Sequence, residues 1–456
     1  MNSTRTTTAG LMALDVAAAI AVFNLVSDFR GLGSFDRLLL VPLAAPIGAI
    51  MFSIYLIEGY RARTDMLSLD YTSQHSIALV GAMLFMLLLT FVVIPAGYEL
   101  QSSRIVIGMS FLTLIPVTLS YRRLFYLKNL AAKGERRLVF VGDPASCSLF
   151  AEECQKMGAA QKVIYSTASD DPDRSENVQG GAPLRPFGEV LAEMQAGRLE
   201  VEAIVLRESA RDLSPAISQR LVELYFTGVP TYTLELFHQV FWRKIPLYRL
   251  NQTWLFQEGF QIAREPVFER LKRASDIALS LVGLVLASPF IAIAALCVWL
   301  EDRGPVFFIQ RRVGKNHAPF PLLKLRTMRP GGGDLYTRPG DTRITRVGQF
   351  LRSSRLDELP QLWNVLRGEM SLIGPRAEWD RLVENYEREI PCYYFRHLVK
   401  PGITGWAQVN YPYGENMEDT VRKLEYDLYY IRHFSFVLDA SIVLKTIHIM
   451  LFGKGR

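Results

Sequence analysis

At 456 residues the chain is long enough for two or three domains, and with 50% hydrophobic residues and a mean hydropathy of +0.14 it is too apolar for an ordinary soluble protein of this size. The 51 Lys and Arg against 45 Asp and Glu leave a net +6, which suits anionic lipid headgroups or phosphorylated substrates, and the hydropathy argues against nucleic acid as the partner. Cys147, Cys154, Cys297 and Cys392 form no CxxC pair and have no His at zinc-site spacing, so they read as inert thiols in a reducing cytosol.

The N-terminus has no small-residue cleavage site after a short apolar run, so it reads as a first membrane helix and not a removed signal peptide. Four apolar segments, 11–26, 38–57, 76–94 and 105–121, come near the roughly 20 residues needed to cross a hydrocarbon core. They predict a four-helix transmembrane bundle over 1–121. Asp15 and Asn24 weaken the first segment and are expected to face the other helices. Arg61 and Arg63 in the second loop, and Arg122, Arg123, Lys128, Lys133, Arg136 and Arg137 after the fourth segment, place both ends of the bundle in the cytosol. A basic linker, 122–136, leads out of it.

From 137 to 265, strands at 138–141, 162–165, 203–206 and 229–233 alternate with helices around 146–157, 187–196 and 215–226, a βαβ pattern that predicts a Rossmann-like parallel sheet. Gly142-Asp143-Pro144-Ala145-Ser146-Cys147 keeps only the first glycine of a GxGxxG turn, so a regulatory or assembly module is expected in place of a dinucleotide site. Asp, Pro, Gly and Ser dominate 166–186, which marks an exposed loop.

The last region, 266–456, opens on an apolar run broken by Ser288-Pro289. By length it could span. Pro289 at its centre, cations flanking both ends and a cationic site downstream favour a re-entrant helix, 274–300, that enters and returns on one side. A kinked spanning helix is the alternative. The run 436–452 reads either as an amphipathic helix on the membrane surface or as a core-packing helix.

The stretch 353–366 carries two adjacent acids, Asp357 and Glu358. Pro360 suits a first helical turn, Ser354 stands three residues before Asp357 as in a capping box, and Leu356, Leu359, Leu362, Trp363 and Leu366 predict a buried stripe. Acids in a first turn commonly only complement the helix dipole. Here, however, residues 311–376 hold thirteen Lys or Arg against five Asp or Glu, so the pair reads as a nucleophile and a metal ligand facing phosphates. Turn-forming glycines and prolines recur beside cations throughout, and are expected to expose backbone N–H groups.

Arg-Val-Gly-Lys-Asn (312–316), Lys-Leu-Arg-Thr-Met (324–328), Leu-Asp-Glu-Leu-Pro-Gln (356–361), Gly-Glu-Met-Ser-Leu-Ile-Gly-Pro-Arg (368–376) and Lys-Pro-Gly-Ile-Thr-Gly-Trp-Ala-Gln-Val-Asn (400–410), together with the Ser-Pro break, resemble the polyprenyl-phosphate hexose-1-phosphate transferases, the large monotopic phosphoglycosyl transferases that start exopolysaccharide and O-antigen synthesis. The resemblance is strong from 270 to 456, and the preceding regions match the layout of the long members. One departure is Ala377, where the family usually has a second proline.

The resemblance implies a membrane α-helical bundle, a Rossmann-like cytosolic module and an α+β monotopic catalytic domain. It implies a ping-pong transfer from a UDP-hexose to undecaprenyl phosphate, releasing UMP, through a sugar phosphate held on Asp357, with Glu358 binding Mg²⁺. Lys324, Arg326, Arg343, Arg352 and Arg376 are the candidate phosphate-binding cations, and Asp427 is a further acid at a family position, with a helix-surface acid as its plain reading. The expected location is the bacterial inner membrane, catalytic part in the cytosol, with lipids as neighbours and homo-oligomer formation left open. The competing readings are a membrane-anchored nucleotide-sensing regulator and a nucleotide-sugar hydrolase with water as acceptor. No motif identifies the hexose.

Overall fold

The computed structural model describes residues 2–31, 39–57, 59–60, 64–92, 104–132, 137–157, 162–167, 177–178, 182–207, 215–247, 266–329, 341–412, 414 and 416–452. Arg61, Arg63, Lys133 and Arg136, on which the orientation rests, lie outside these residues, as do 168–176 and 179–181 of the expected loop and the expected module boundary at 265. By contacts the chain forms two compact units, Met1–Gly134 with Phe436–His448, and Glu135–Ser435 with Ile449–Arg456.

In the first unit α1 (Asn2–Phe29), α2 (Ala44–Leu56), α3 (Leu69–Val92) and α4 (Arg104–Ala132) bury one apolar face each, with Phe23, Ile50, Leu79 and Phe111 in a common core. Leu25, Phe52, Leu88 and Leu112 point outward, as expected of helices that are apolar all round. Helices α1, α3 and α4 are long and apolar enough to cross a membrane, whereas α2 has only 13 residues, about 20 Å of helix. Val41–Leu43 precedes it as a 3₁₀ turn with Pro42 in its first positions, so the second apolar segment is helical from Val41 to Leu56.

Asp15 is buried against Arg122, Tyr121 and the Tyr60 hydroxyl, which donates to it at 2.6 Å, and the Arg122 guanidinium also donates to Gly59 O. Asn24 does separate work, accepting from Leu39 N at 2.7 Å and donating to Ile20 O. Arg122 is thus the counterion of an acid inside the bundle and not a surface cation. Arg122→Met would leave Asp15 buried and unpaired, and is expected to cost about 3–5 kcal/mol. Thermal unfolding in detergent checks this, with Asp15→Asn/Arg122→Met expected to recover much of the loss.

The second unit begins with β1 (Arg137–Val141), α5 (Pro144–Lys156), β2 (Lys162–Thr167), the short β3 (Asn177–Val178), β4 (Ala182–Pro183) and β5 (Arg185–Pro186), α6 (Phe187–Gln195), β6 (Ala203–Leu206), α7 (Pro215–Phe226), β7 (Thr231–Thr233) and α8 (Leu234–Phe237). The order β5-β2-β1-β6-β7 makes a five-stranded sheet, parallel at every pairing. The two-residue period of β1 sends Val139 and Val141 to one face, with α6 and α7, and Leu138 and Phe140 to the other, with Phe150 and Phe237. Cys147 and Cys154 lie in that second layer, and burial pushes both thiols up to about 12, which keeps them inert. A side chain at Gly142 would meet Phe140 Cε1 at 3.0 Å and Arg207 Cβ at 3.2 Å, and Asp143 at the start of α5 pairs with Arg207. Close packing at the sheet end explains that glycine.

The chain continues through α9 (Pro266–Asp302), the antiparallel hairpin β8 (Phe307–Val313) and β9 (Pro319–Leu325), α10 (Arg346–Ser354), α11 (Gln361–Arg367), β10 (Ser371–Ile373), α12 (Asp380–Glu389), β11 (Gly402–Thr404), α13 (Trp406–Asn410), α14 (Met417–Arg432) and α15 (Phe436–Phe452). Helix α9 is continuous through Ser288 and Pro289. Near its start Arg273 donates to Leu366 O at 2.6 Å and Asp276 accepts from Ser371 Oγ and Leu372 N, both at 3.1 Å. Near its end Glu301 accepts from Arg346 N at 2.8 Å, and Asp302 pairs with Arg326. Both ends therefore hold to the same α/β body. Helix α15 buries Leu438 and Ile442 and exposes Val437, Val443 and Ile447, a two-faced pattern.

Candidate active site

The two acids lie in a 3₁₀ turn that leads into α11 and not in the α-helix itself. Helix α10, capped by Thr345, ends at Ser354, whose hydroxyl bonds back to Phe350 O at 2.8 Å, and Arg355 then turns left-handed (φ 60°). Leu356–Glu358 form a 3₁₀ turn, and α11 begins only after Pro360. The expected capping box is absent because Arg355 ends one helix before the acids. The buried face of α11 is Gln361, Asn364 and Val365, while Trp363 is 53% exposed and Leu362 lies against Gly283 of α9.

Asn364 fixes this turn beside β9, accepting from Leu323 N at 3.0 Å and donating to Pro321 O at 2.7 Å. Lys324, the next residue of β9, then meets the acids. Its ammonium lies 2.9 Å from Glu358 Oε1, with Arg376 3.9 Å from the same oxygen. Burial works against the charge of Glu358, but Lys324 and Arg376 outweigh it and hold the carboxyl at about 2. Burial lowers Lys324, against the pull of Glu358. Asp357 behaves oppositely: burial, then the neighbouring Glu358, raise it, with Lys324 and Arg352 opposing. One acid is thus neutralised and the other is a more basic carboxylate.

Asp357 opens onto a cavity of about 970 Å³ that Lys324, Arg326, Arg343, Arg352 and Arg376 also line, so the structure brings all five expected cations together. Their commitments differ. Arg326 is buried in its pair with Asp302, and Arg343 grips Asp341 through two oxygens, Nη2 to Oδ2 at 2.6 Å. Arg352 donates to Thr327 Oγ1 at 2.9 Å and reaches Met328 Sδ. Glu358 is not among the lining residues; it stands behind Lys324 and Arg376.

The motif glycines bring backbones together. A side chain on Gly374 would lie 2.3 Å from Lys400 O, one on Gly402 2.1 Å from Gly374 N, and one on Gly405 2.1 Å from Gly374 O. Gly374 N donates to Thr404 O and Gly402 N to Pro375 O, both at 2.9 Å, so these N–H groups are spent between the turns and are not exposed as the sequence suggested. The same packing fixes the segment that carries Arg376, and Ala377 O accepts from Arg312 at 3.0 Å.

Across the cavity, Asp427 is fully buried and not a surface acid of α14. Arg396 Nη2 donates to its Oδ2 at 2.9 Å and to Arg376 O at 3.0 Å, and Tyr393 OH accepts from Arg396 Nη1 at 2.5 Å. Sequence reasoning missed Arg396, Tyr393, Glu378 and Lys423 in this wall; only the buried pairing, invisible in the chain order, marks them.

Burial raises Asp427 to about 6, with Arg396 opposing, so the group is ionised at pH 7 and protonates as the pH falls through about 6. Since the folded value is the raised one, its contribution to stability is fully present below the unfolded value of about 3.9 and is lost as the pH rises through about 6. Wild type should therefore gain about 1 kcal/mol relative to Asp427→Asn between pH 7 and pH 5, read from paired unfolding curves.

The description "Bacterial sugar transferase" belongs to a family model that matches residues 267–453. The UDP-N-acetylgalactosamine-undecaprenyl-phosphate N-acetylgalactosaminephosphotransferase of Aeromonas hydrophila is 38% identical over 262 residues, 57% of this chain and 61% of that one. The UDP-glucose:undecaprenyl-phosphate glucose-1-phosphate transferase of Escherichia coli is 44% identical over 182 residues, 39% of each. The exopolysaccharide production protein PSS of Rhizobium leguminosarum bv. phaseoli is 40% identical over 195 residues, 41% of this chain and 98% of that one. The chain thus spans less than two thirds of the first two relatives and nearly all of the third.

Proposed function

Because the chain belongs to the bacterial sugar transferase family, we propose that it moves a hexose-1-phosphate from a UDP-sugar to undecaprenyl phosphate, releasing UMP, in the first membrane step of exopolysaccharide or O-antigen assembly. The observation that carries this reading is Asp357, a buried carboxylate facing a cation-lined cavity while its neighbour Glu358 is neutralised by Lys324.

An Asp357 oxygen attacks the β-phosphorus of the donor, forming an acyl phosphate as the bond to the bridging oxygen breaks and UMP leaves with the electron pair. A phosphate oxygen of the lipid then attacks the same phosphorus and displaces the carboxylate, giving the lipid diphospho-sugar. A carboxylate needs no deprotonation at neutral pH, and its raised basicity makes it a better nucleophile. Arg352 and Arg376, which line the cavity together with Asp357, are the cations we assign to the diphosphate.

The adjacent carboxylates of Asp357 and Glu358 are hard oxygen donors of the kind Mg²⁺ takes; Asp357 lines the cavity and Glu358 stands behind Lys324 and Arg376. Glu358 would hold the ion once its carboxylate turned from Lys324 toward the cavity, and Mg²⁺ bound there would neutralise charge on the diphosphate.

Both ends of α9 hold to one catalytic body, which supports a re-entrant element over a spanning helix, because a spanning helix would put Arg273 and Glu301 on opposite faces. Exposed Trp363 and Phe350 suit the same membrane interface. We place the catalytic part at the cytosolic surface of the inner membrane, with the parallel sheet as a Rossmann-like module.

Purified protein with a panel of UDP-sugars should release UMP, continuously only when polyprenyl phosphate is present and as a single burst without it. Asp357→Asn should lower turnover by roughly 10³-fold or more. Full turnover in that variant would refute the nucleophile, and sustained turnover without lipid would favour hydrolysis.

A further inference from the structure

Away from the cavity, His317, Glu387 and His397 converge, the one such group of metal-ligating side chains among the described residues. They come from three elements: the turn between β8 and β9, α12, and the 3₁₀ segment Tyr393–Leu398. Glu387 Oε1 lies 3.4 Å from His317 Nδ1 and 3.9 Å from His397 Nε2, and all three donor atoms fall within 4.8 Å of one another. Donors bound to one tetrahedral ion at about 2.0–2.1 Å stand roughly 3.4 Å apart, so small side-chain movements suffice to close on an ion.

One further observation points to a ligand. His397 is buried, 5% exposed, yet its Nε2 makes no hydrogen bond. A buried ring nitrogen without a hydrogen-bond partner is costly unless something fills the position. His317 is held by a short turn: Asn316 (φ 54°) and His317 (φ 61°) are the central residues of a tight hairpin turn of left-handed type, whose second central position favours glycine.

We propose that His317, Glu387 and His397 form a binding site for a divalent transition ion of the Zn²⁺ class, with a fourth position open to water. Two imidazoles and one carboxylate select such an ion over Mg²⁺, which prefers an all-oxygen set. The ion would clamp the hairpin turn and α12 to the segment that presents Tyr393 and Arg396 to the cavity. The nearby Arg396 guanidinium is turned to Asp427 and Tyr393. His317 and Glu387 are exposed, so the ion can enter from solution.

The test uses the untagged full-length protein in detergent, stripped by chelator and re-equilibrated with Zn²⁺ in excess Mg²⁺. Metal content after desalting and the unfolding temperature are measured. Wild type should retain one Zn²⁺ per chain and unfold at a higher temperature with it. His317→Gly installs the residue the turn favours and should fold at least as well without metal, but bind Zn²⁺ at least tenfold more weakly, and Glu387→Gln should lose binding in the same way. Wild type that retains no zinc, or variants that retain as much as wild type, would overturn the proposal.

Discussion

The contact between Lys324 and Glu358 is the one on which the site depends. Two adjacent carboxylates cannot both stay ionised in a poorly solvated turn unless one is neutralised nearby. Lys324 does this at 2.9 Å, with Arg376 behind it, and leaves Asp357 as the acid that faces the cavity. Lys324 is half-buried, and Glu358 and then Asp357 oppose the lowering that burial imposes on it, so removal of Glu358 weakens the hold on its charge. The pair is therefore both the cost and the organising centre of the site.

Much of the surrounding fold serves to hold that contact in register. Asn364 ties the acid-bearing turn to β9, and the glycines at 374, 402 and 405 let the Arg376 segment approach the turn before α13 at backbone distance. Helix α9 grips α11 with one end and α10 with the other. Helix α14 has two tasks. Its Lys423 and Asp427 face the cavity, while Arg422 and Glu425 join a buried network with Glu153 and Lys244 from the sheet portion, Lys244 lying 3.2 Å from Glu153 and 3.3 Å from Glu425. Trp406 adds a hydrogen bond to Arg243 O at 2.9 Å, so the sheet is fastened beside the wall that carries Asp427.

The order of strands and helices from 137 to 233 was legible because the two-residue period of buried strands is a local property, as in Leu138 and Phe140 against Val139 and Val141. That Asp357 and the five cations share one cavity was also foreshadowed by motif and charge density. The local form around the acids was not, since a single left-handed residue, Arg355, decides where one helix stops, and arginine carries no sign of that conformation. Partner choice was equally hidden. Arg326 with Asp302, Asp427 with Arg396 and Asp15 with Arg122 join residues distant in the chain, and only packing selects them. Trp363 misled because helical spacing marks an apolar face without saying whether the rest of the protein covers it.

The most direct measurement of the central claim is mass spectrometry of the protein quenched after exposure to a UDP-sugar with Mg²⁺ and no lipid acceptor. The account predicts a hexose-phosphate adduct on the peptide carrying Asp357, discharged when polyprenyl phosphate is added. An adduct on another residue, or UMP release with no adduct under conditions that trap acyl phosphates, would contradict it.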